Sequence, residues 1–486
     1  MPRAIKKIDR RIWHHPILEF KRGRKIKFYF ENQEVEGYEG ESVAIALYAN
    51  GIDVLSWTPE GRPRGAFCMI GKCSSCFMIV DGIPNVRTCR EPVREGMHIS
   101  RQRGLPPIPE IKKRREEKVE EEIIETDFLI IGGGPAGLSA ALKAAEYGLR
   151  VILVEDHFKL GGQLVKQTHK FFGSKELFGG LRGFQIAETL AKKVMENKNI
   201  RVLLETTAYG IFRDGWIGLA SKNKHYKVRA KTILFATGAY ENYLAFPGND
   251  LPGVMGAGGA QTIMNEYGVK PGNNALVVGA GNVGLIIAYQ LLQAGVNVKA
   301  IVEIMPQIGG WAVHAAKVRR YGVPIYTQHT IKRVWGEERV EGATIVKVDK
   351  KFQPIPGTEK DIECDLVLLA VGLTPDVSLL KQMGAKMAWV PELGGLVAYR
   401  TKYMETTIPG VFIAGDVKGI EEATVAMIEG QIAALSAVLR VKKNDQKAIE
   451  EREKLVRILE EYRQSPLLAR VREGIKKVLI KEGEGA

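Results

Sequence analysis

One sequence element occurs twice and constrains the fold more than any other feature of the chain. It reads TDFLIIGGGPAGLSAALKAAEYGLRVILVE from Thr126 and NALVVGAGNVGLIIAYQLLQAGVNVKAIVE from Asn274. Each copy predicts a strand, a glycine turn, a helix, a second strand and a closing acidic residue. We interpret the copies as two nucleotide-binding βαβ units. Because short apolar strands alternate with helices from residue 126 to about 438, we expect an α/β fold with a parallel sheet.

The glycines of the first copy predict that a dinucleotide binds there. Gly132 permits a tight turn, Gly134 lets the backbone approach a pyrophosphate, and Gly137 allows close packing of helix on strand. The helix N-terminus offers N–H groups to the phosphates. Glu155 ends the second strand, where its carboxylate accepts hydrogen bonds from a ribose diol. A strand-to-helix turn without a ligand is the alternative. The binding residues predicted in this copy are Gly132, Gly134, Pro135, Ala136, Gly137 and Glu155.

The second copy repeats this order of glycines and acid. The acidic residue at its end repels a ribose 2′-phosphate, so NADP is disfavoured. The same ligand-free alternative applies here. The predicted binding residues are Gly279, Gly281, Asn282, Val283, Gly284 and Glu303.

Three smaller features distinguish the first copy from the second. Small residues follow Glu155, where the backbone can pass beside a large ligand. A strand over 232–235 leads into a short turn, and a strand from 411 closes on a Gly-Asp pair, whose carboxylate can bind a ribityl hydroxyl. Taken alone, each is more often a plain loop. The residues that these features add to the predicted site are Gly162, Gln163, Ala236, Thr237, Gly238, Gly415 and Asp416.

Four cysteines predict a metal centre near the N-terminus. Their spacing is Cys68-x4-Cys73-x2-Cys76-x12-Cys89, which matches the plant-type [2Fe–2S] arrangement. Zinc is the main alternative, although its sites usually pair two C-x2-C motifs. A Rieske centre needs two histidines, and His98 is the only one nearby, so we reject it.

The fifth cysteine, Cys364, stands alone, and we expect it to be a small buried residue beside a strand over 366–370. Five cysteines are too few for a disulfide-stapled secreted scaffold, so we expect a cytoplasmic protein. No apolar run approaches the ~18 residues of a membrane span, and no signal peptide is recognised.

The net charge of 70 − 56 = +14 does not by itself predict nucleic-acid binding, because no nucleic-acid-binding motif accompanies it.

The 486 residues exceed one compact core, and composition excludes collagen-like or largely disordered chains. Residues 101–126 are Pro-rich and then densely charged, which indicates a linker or a charged helix. Near the C-terminus, Leu455, Ile458, Leu459 and Tyr462 form one helical stripe that we expect to pack on its own domain; docking of a partner is the alternative. The predicted segments are 1–100 (cluster domain), 101–125 (linker), 126–255 and 376–440 (first nucleotide domain), 256–375 (second nucleotide domain) and 441–486 (helical tail).

The two βαβ units with their smaller motifs resemble the two-dinucleotide-domain flavoproteins, such as the thioredoxin-reductase-like enzymes. The resemblance implies that the first unit, with residues 236–238 and 415–416, holds FAD, and that an NAD-type domain is inserted, with 370–375 as its closing motif. Thioredoxin reductases carry a Cys-x-x-Cys pair in the second domain. This chain has no such pair there, so dithiol exchange by that mechanism is excluded.

The segment GAFCMIGKCSSCFMIVDGIPNVRTC resembles the ferredoxin-like domain of amine-oxidising complexes. With the flavoprotein body, the order resembles the alpha subunits of heterotetrameric sarcosine oxidase and dye-linked L-proline dehydrogenase. It implies two interleaved Rossmann-like domains after a small β-rich ferredoxin-like domain. Sarcosine oxidase alpha subunits are about twice as long, and no Cys follows Cys364. The chain is therefore closer to compact proline-dehydrogenase-like subunits, and a further iron–sulfur domain would be a separate polypeptide.

The resemblance implies an electron-transfer subunit. A catalytic beta flavoprotein subunit would oxidise an amine or imino acid, and electrons would reach FAD and the [2Fe–2S] cluster here. It also implies FMN at a subunit interface, NAD or ATP in the second site, small ferredoxin-like subunits and a hetero-oligomer, with peripheral membrane association as an option. We name no catalytic residue; His314 and His329 are expected to be ordinary surface or packing residues. The alternative is a self-contained NADH-dependent reductase.

Overall fold

The computed structural model describes residues 8–108, 119–171 and 177–481. The chain forms two compact units, each built from two separate stretches. Unit 1 comprises Met1–Lys113 and Glu241–Gly372, and unit 2 comprises Arg114–Tyr240 and Leu373–Ala486. The interrupted order is what an inserted domain produces.

The strands are short except for two of twelve residues each. In chain order they are Lys25–Phe30 (β1), Gln33–Tyr38 (β2), Ser56–Trp57 (β3), Pro63–Arg64 (β4), Phe77–Val80 (β5), Ile83–Arg87 (β6), His98–Ser100 (β7), Gln102–Arg103 (β8), Glu120–Ile131 (β9), Val151–Val154 (β10), Ile200–Leu203 (β11), Thr207–Ile211 (β12), Ile217–Ala220 (β13), Lys224–Phe235 (β14), Ala239–Glu241 (β15), Val254–Gly256 (β16), Asn274–Val278 (β17), Asn297–Glu303 (β18), Ile325–Thr327 (β19), His329–Trp335 (β20), Gly342–Lys347 (β21), Lys360–Glu363 (β22), Leu366–Leu369 (β23), Leu373–Pro375 (β24), Met387–Val390 (β25), Gly395–Ala398 (β26) and Val411–Ile413 (β27).

The α-helices in chain order are Val43–Ala49 (α1), Pro135–Glu146 (α2), Gly183–Met195 (α3), Ala257–Gln261 (α4), Asn282–Gln293 (α5), Ala312–Arg320 (α6), Ser378–Gln382 (α7), Ala423–Lys442 (α8), Gln446–Arg463 (α9) and Ala469–Lys476 (α10). Two of the α-helices, α2 and α5, directly follow the two glycine turns. Short 3₁₀ turns occupy Gly162–Lys166, Pro391–Leu393, Asp416–Lys418 and Pro466–Leu468, and α4 continues as a π-helical turn, Thr262–Glu266.

Unit 1 joins a small β domain to a parallel nucleotide-type sheet. The first sheet has the order β2-β1-β7-β5-β6, and the second, entirely parallel, has the order β16-β23-β17-β18-β19. Strand β1 alternates exposed and buried residues, as a strand covered on one face does, whereas β23 is buried throughout. One continuous apolar core contains Phe28, Leu47 and Met78 from the first part together with Val277 and Leu368 from the second. The two parts of unit 1 therefore pack as one body.

Unit 2 is built on a seven-stranded sheet with the order β11-β10-β9-β14-β13-β12, and β27 pairs with the end of β14. Strand β10 pairs in parallel with β9 and β11, and β14 pairs in parallel with β9 and β27. Such parallel pairing was predicted for a nucleotide-binding sheet. The C-terminal stripe packs on this unit: Leu459 is buried in its core, and Leu455, Ile458 and Tyr462 lie against the same core. The prediction that the stripe packs on its own domain is confirmed.

Two expectations need correction. The segment predicted to be a linker or charged helix is partly strand, because β9 begins at Glu120; residues 109–118 lie outside the described residues. The predicted boundary at 255/256 falls inside β16, which pairs with β23 and so belongs to the second sheet.

One described helix, α8, is long and apolar enough to cross a membrane by length and composition alone. Most of this helix is buried inside the protein, as a core helix would be, so its apolar composition is weak evidence for a membrane span.

Candidate cofactor sites

The first glycine turn leaves room for a ligand at one of its three glycines. Gly132 has a φ of 112°, and a Cβ there would lie 2.2 Å from the Ala236 carbonyl oxygen. A Cβ on Gly137 would lie 1.9 Å from the Gly132 oxygen, so helix α2 packs directly on the turn. At Gly134 the nearest heavy atom to such a Cβ is 3.9 Å away, on Gly162. The outer glycines thus close the turn, and the middle one leaves its backbone open to approach by a pyrophosphate.

The second glycine turn repeats this arrangement in unit 1. A Cβ on Gly279 would meet the Ala370 carbonyl at 2.3 Å, and one on Gly284 would meet the Gly279 oxygen at 1.9 Å. Nothing lies within 4 Å of a Cβ on Gly281. Asn282 and Val283 begin helix α5 beside this open position.

The acidic residue that ends each copy accepts hydrogen bonds from the backbone of the glycine turn in the same copy. Glu155 accepts hydrogen bonds from the backbone N–H groups of Gly133 at 2.7 Å and His157 at 2.8 Å. Glu303 accepts from Ala280 at 2.8 Å and Met305 at 3.0 Å. Burial, followed by the charge of the neighbouring Asp156, raises the pKa of Glu155 to about 7. A carboxylate has four acceptor positions, so backbone bonding and ribose binding are compatible.

A further glycine contact extends the repeat, and its member in the second copy, Gly310, was not predicted. The N–H of Gly161 donates to the Gly133 oxygen at 2.9 Å, and the N–H of Gly310 donates to the Ala280 oxygen at the same distance. Asn282 of the predicted site also accepts a hydrogen bond from the backbone of Trp311 at 2.9 Å. Gly161 follows Glu155 by six residues, and Gly310 follows Glu303 by seven. Comparing the two copies beyond the acid, with an offset of one residue, would have identified Gly310.

The remaining predicted FAD residues gather at the ends of β14 and β27. Strand β14 ends before Ala236, and the hydroxyl of Thr237 donates to the Asp376 carbonyl at 2.8 Å. Gly162 and Gln163 open a 3₁₀ turn, with Gln163 exposed. Gly415 follows β27, and burial raises the pKa of the adjacent Asp416 to about 6.

Beneath Gly415 lies a buried charge network that the sequence did not reveal. The Glu429 carboxylate accepts from the Gly415 N–H at 3.1 Å and lies 2.8 Å from the Lys418 ammonium, and both side chains are fully buried. Arg463, from helix α9, bonds to Glu429 and also to Glu421 at 2.6 Å. Helix α9 therefore helps to fix the conformation of the turn at Gly415 and Asp416.

The four clustered cysteines form two pairs. Cys68 is hydrogen-bonded to Cys73, and Cys76 to Cys89. The loop reverses direction through left-handed backbone conformations at Met69, Gly71 and Ser74, with φ values of 54°, 81° and 60°. These turns allow three cysteines from one short loop to meet the fourth from the segment after β6.

Polar groups surround these sulfurs. The N–H of Ile70 donates to the Cys68 sulfur and the N–H of Ser75 to the Cys73 sulfur, each at 3.5 Å. The Ser75 hydroxyl also bonds to Cys73, and that of Thr88 to Cys76. The bond between the two side chains is the main reason that the pKa of Cys73 falls to about 5 and also the main reason that the pKa of Cys68 rises. The backbone and hydroxyl donors are placed to stabilise negatively charged sulfur.

The pairing bears on the choice between iron–sulfur and zinc. In the described part of the chain, no three or more His, Cys, Asp or Glu side chains are arranged to hold one metal ion. Structural zinc needs four ligands around a single ion. In a [2Fe–2S] cluster, two thiolates bind each of two irons, so two cysteine pairs are the required donor set. The residues present fit the cluster better than zinc.

Residues expected to be outside the site lie outside it. Cys364 is 4% exposed, next to β23, and burial raises its pKa to about 12, so it behaves as a small core residue. His314 is buried in α6, and burial lowers its pKa. His329 is half-buried, with its ring Nδ1 2.7 Å from the Thr327 oxygen.

Comparison with known proteins agrees with both halves of this geometry. Residues 126–430, more than half of the chain, match the family described as pyridine nucleotide-disulphide oxidoreductase. The chain belongs to this oxidoreductase family. Residues 23–104 match a 2Fe-2S iron-sulfur cluster binding domain. The two matches imply FAD and a [2Fe–2S] cluster, and the predicted fold class is confirmed.

Several relatives within the family combine these parts. The alpha subunit of sarcosine oxidase from Rhizobium meliloti (strain 1021) is 26% identical over 479 residues, which cover 85% of this chain and 46% of that protein. An opine oxidase subunit from the same organism is 27% identical over 331 residues, which cover 64% of this chain and 70% of that protein. The crystal structure of L-proline dehydrogenase from P. horikoshii has a TM-score of 0.71 and 29% identity, over 91% of this chain and 79% of that one.

The chain is therefore a sarcosine oxidase alpha-like protein with an N-terminal 2Fe–2S domain, as the sequence resemblance predicted. It spans about half the length of the sarcosine oxidase alpha subunit that it matches.

Proposed function

We propose that this chain is the electron-transfer subunit of a multi-subunit amine or imino-acid dehydrogenase, similar to L-proline dehydrogenase or sarcosine oxidase. The observation that carries the proposal is the presence, on one chain, of two cysteine pairs suited to [2Fe–2S] and an open flavoprotein glycine turn. When bound, FAD accepts an electron pair from a donor and the cluster passes on single electrons. The chain's own residues bind and orient both groups.

The proposed FAD site consists of the first glycine turn, Glu155, Gly162, Gln163, residues 236–238, Gly415 and Asp416. The open position at Gly134 would receive the pyrophosphate, and the carboxylates of Glu155 and Asp416 would accept hydrogen bonds from ribose and ribityl hydroxyls. The proposed cluster ligands are Cys68, Cys73, Cys76 and Cys89. Around Gly281 and Glu303, we propose a site for a second adenine nucleotide, NAD or ATP.

For domain roles, we propose that residues 1–100 form the cluster domain and that the NAD-type domain is inserted into the FAD domain, as unit 1 and unit 2 suggest.

For partners, we propose a catalytic beta flavoprotein subunit that oxidises the CH–NH bond, with FMN at the subunit interface and optional small ferredoxin-like subunits. The curated relatives are named as subunits of larger enzymes, which supports a hetero-oligomer. The five cysteines are all free thiols outside disulfide bonds, which supports a cytoplasmic location. Peripheral membrane association is the alternative.

The test uses the purified chain with and without a partner. We expect a flavin absorption band, iron with acid-labile sulfide and an EPR signal on reduction. We further expect that L-proline or sarcosine reduces the flavin only after a beta subunit is added. Zinc in place of iron, or substrate-driven reduction by the isolated chain, would contradict the proposal.

A second candidate function is a self-contained NADH-dependent reductase. The observation that favours it is the second glycine turn, whose open Gly281 and buried Glu303 reproduce the geometry of the first turn. Anaerobic mixing with NADH separates the two functions. Rapid bleaching of the flavin in the isolated chain would support the reductase, whereas unchanged flavin absorbance would leave the electron-transfer role within a complex as the better account.

A further inference from the structure

A tyrosine from outside the 2Fe-2S domain reaches the cysteine loop. Tyr243 lies beyond the matched residues 23–104 and follows β15. Its hydroxyl is hydrogen-bonded to the Cys73 side chain. Its ring stacks on Phe67, with centroids 4.2 Å apart and an interplanar angle of 19°. Phe67 immediately precedes Cys68, so the tyrosine touches the loop at two places.

The backbone on both sides of this contact is fixed. The Glu241 carboxylate accepts hydrogen bonds from the N–H groups of Gly258 at 2.5 Å and Gly259 at 3.2 Å, which begin helix α4. That helix packs against the cysteine loop, because a Cβ on Gly259 would lie 2.1 Å from the Phe67 carbonyl oxygen. The N–H of Asn242 donates to the Gly372 oxygen at 3.1 Å. Tyr243 is thus held beside Cys73 although its side chain remains accessible, at 57% exposure.

The hydroxyl is a donor toward sulfur. A tyrosine phenol, whose ordinary pKa is about 10, keeps its proton at neutral pH. A hydrogen bond to a cluster thiolate withdraws electron density from the iron and stabilises the reduced form, which carries one more negative charge.

We propose that the Tyr243 hydroxyl donates a hydrogen bond to the Cys73 sulfur when the cluster is bound, and thereby raises the reduction potential of the cluster. This inference rests on the proposed [2Fe–2S] centre. It makes the stretch Glu241–Gly372 of unit 1, which contributes Tyr243, a determinant of the potential of a cluster bound by the N-terminal domain.

The test is Tyr243→Phe in the full chain with its cofactors. Phenylalanine keeps the ring on Phe67 and removes only the hydroxyl. We expect the cluster midpoint potential, from an EPR-monitored redox titration, to fall relative to wild type, while the flavin potential stays constant. Tyr240→Phe, a neighbouring tyrosine that is 39% exposed, is the matched control and should leave the cluster potential unchanged. An unchanged potential in Tyr243→Phe with an intact cluster overturns the inference.

A second measurement probes the hydrogen bond itself rather than the cluster potential. In wild-type protein, transfer to D₂O should shift the Fe–S(Cys) stretching bands in resonance Raman spectra, and Tyr243→Phe should reduce that shift. Equal shifts in both proteins overturn the inference. Absence of iron and of an EPR signal in wild type would instead refute the proposed function, so the two failures are distinguishable.

Discussion

Among single residues, we expect Glu155 to give the proposed FAD site a pH dependence. Its pKa of about 7 means that the buried carboxyl becomes protonated as the pH falls from 8 to 6. A protonated carboxyl accepts fewer hydrogen bonds, so we expect the FAD affinity of the apoprotein to decrease over this range. Titrations of apoprotein with FAD at several pH values, followed by flavin fluorescence, measure it.

The control for this prediction uses the internal repeat. Glu155→Gln should bind FAD roughly 10- to 100-fold more weakly at pH 8, the equivalent of a charged hydrogen bond of about 1.5–3 kcal/mol, and should lose the pH dependence. Glu303→Gln changes the corresponding residue in the other turn and should leave FAD affinity unaltered. A wild-type affinity that is constant from pH 6 to 8 would contradict the assignment.

The cysteines allow an equally direct comparison. Cys89→Ser removes one of two thiolates on one iron, so we expect iron content to fall from about two per chain to a small fraction. Cys364→Ser alters a buried cysteine outside both pairs and should retain the iron. Iron and sulfide analysis of both variants decides the matter, and equal losses would show that the pairing does not define the ligands.

At this scale, the predictable residues were those with local requirements. Gly132 and Gly137 act within one turn, and the cysteine spacing spans 22 residues, so the sequence could identify them. Tyr243, Glu429 and Arg463 act on partners distant in sequence. Arg463 lies 34 residues from Glu429, and Tyr243 lies 170 residues from Cys73, so no local pattern could connect them.

Among the elements, helix α9 has a role that the sequence did not predict, because its Arg463 pairs with the buried Glu421 and Glu429. Arg463→Met would remove one of the two cations, Arg463 and Lys418, that pair with the buried Glu421 and Glu429 carboxylates. Breaking a buried ion pair costs about 3–5 kcal/mol, so we expect lower stability in urea unfolding. Since Glu429 binds the Gly415 N–H, we also expect easier release of FAD on heating.

Arg457→Met is the matched control for that helix. Arg457 lies on the exposed face of α9, and its replacement should change stability little. If both variants release FAD at the same temperature as wild type, the network does not support the Gly-Asp turn.

Strand β9 shows why one element was predicted wrongly. Its first residues are Glu-rich, a composition that favours helix or linker when taken alone. In the structure, Glu122 lies 2.5 Å from Arg201 and 2.8 Å from Lys224, cations that arrive from β11 and β14. Strand Lys25–Phe30 is the opposite case, because the alternation of exposed and buried residues can be read from its own six residues and needs no distant charge.

For the molecule as a whole, we expect the shared core of unit 1 to couple the proposed cluster site to the proposed second nucleotide site. A nucleotide that binds the Gly281 turn should stabilise unit 1 against unfolding, and the cluster domain with it. At 100 times its dissociation constant, we expect NAD or ATP to raise the temperature of cluster bleaching by about 5–10 °C. Visible absorbance during heating measures it, and Glu303→Gln should abolish the gain. A bleaching temperature indifferent to nucleotide would show that the two parts unfold separately.

The packing of helix α4 on the Cys68 loop also has a consequence for biosynthesis. The chain leaves the ribosome from its N-terminus, at about 5–20 residues per second. The backbone of Gly256, which donates to the Phe67 oxygen, therefore emerges roughly 10–40 seconds after Cys68. Until then, helix α4 does not pack against the cysteine loop, and the thiols are exposed to oxidation or to binding of the wrong metal. Loading of iron and sulfide is thus expected to follow translation of the second nucleotide domain, although the cysteine ligands precede that domain in the chain.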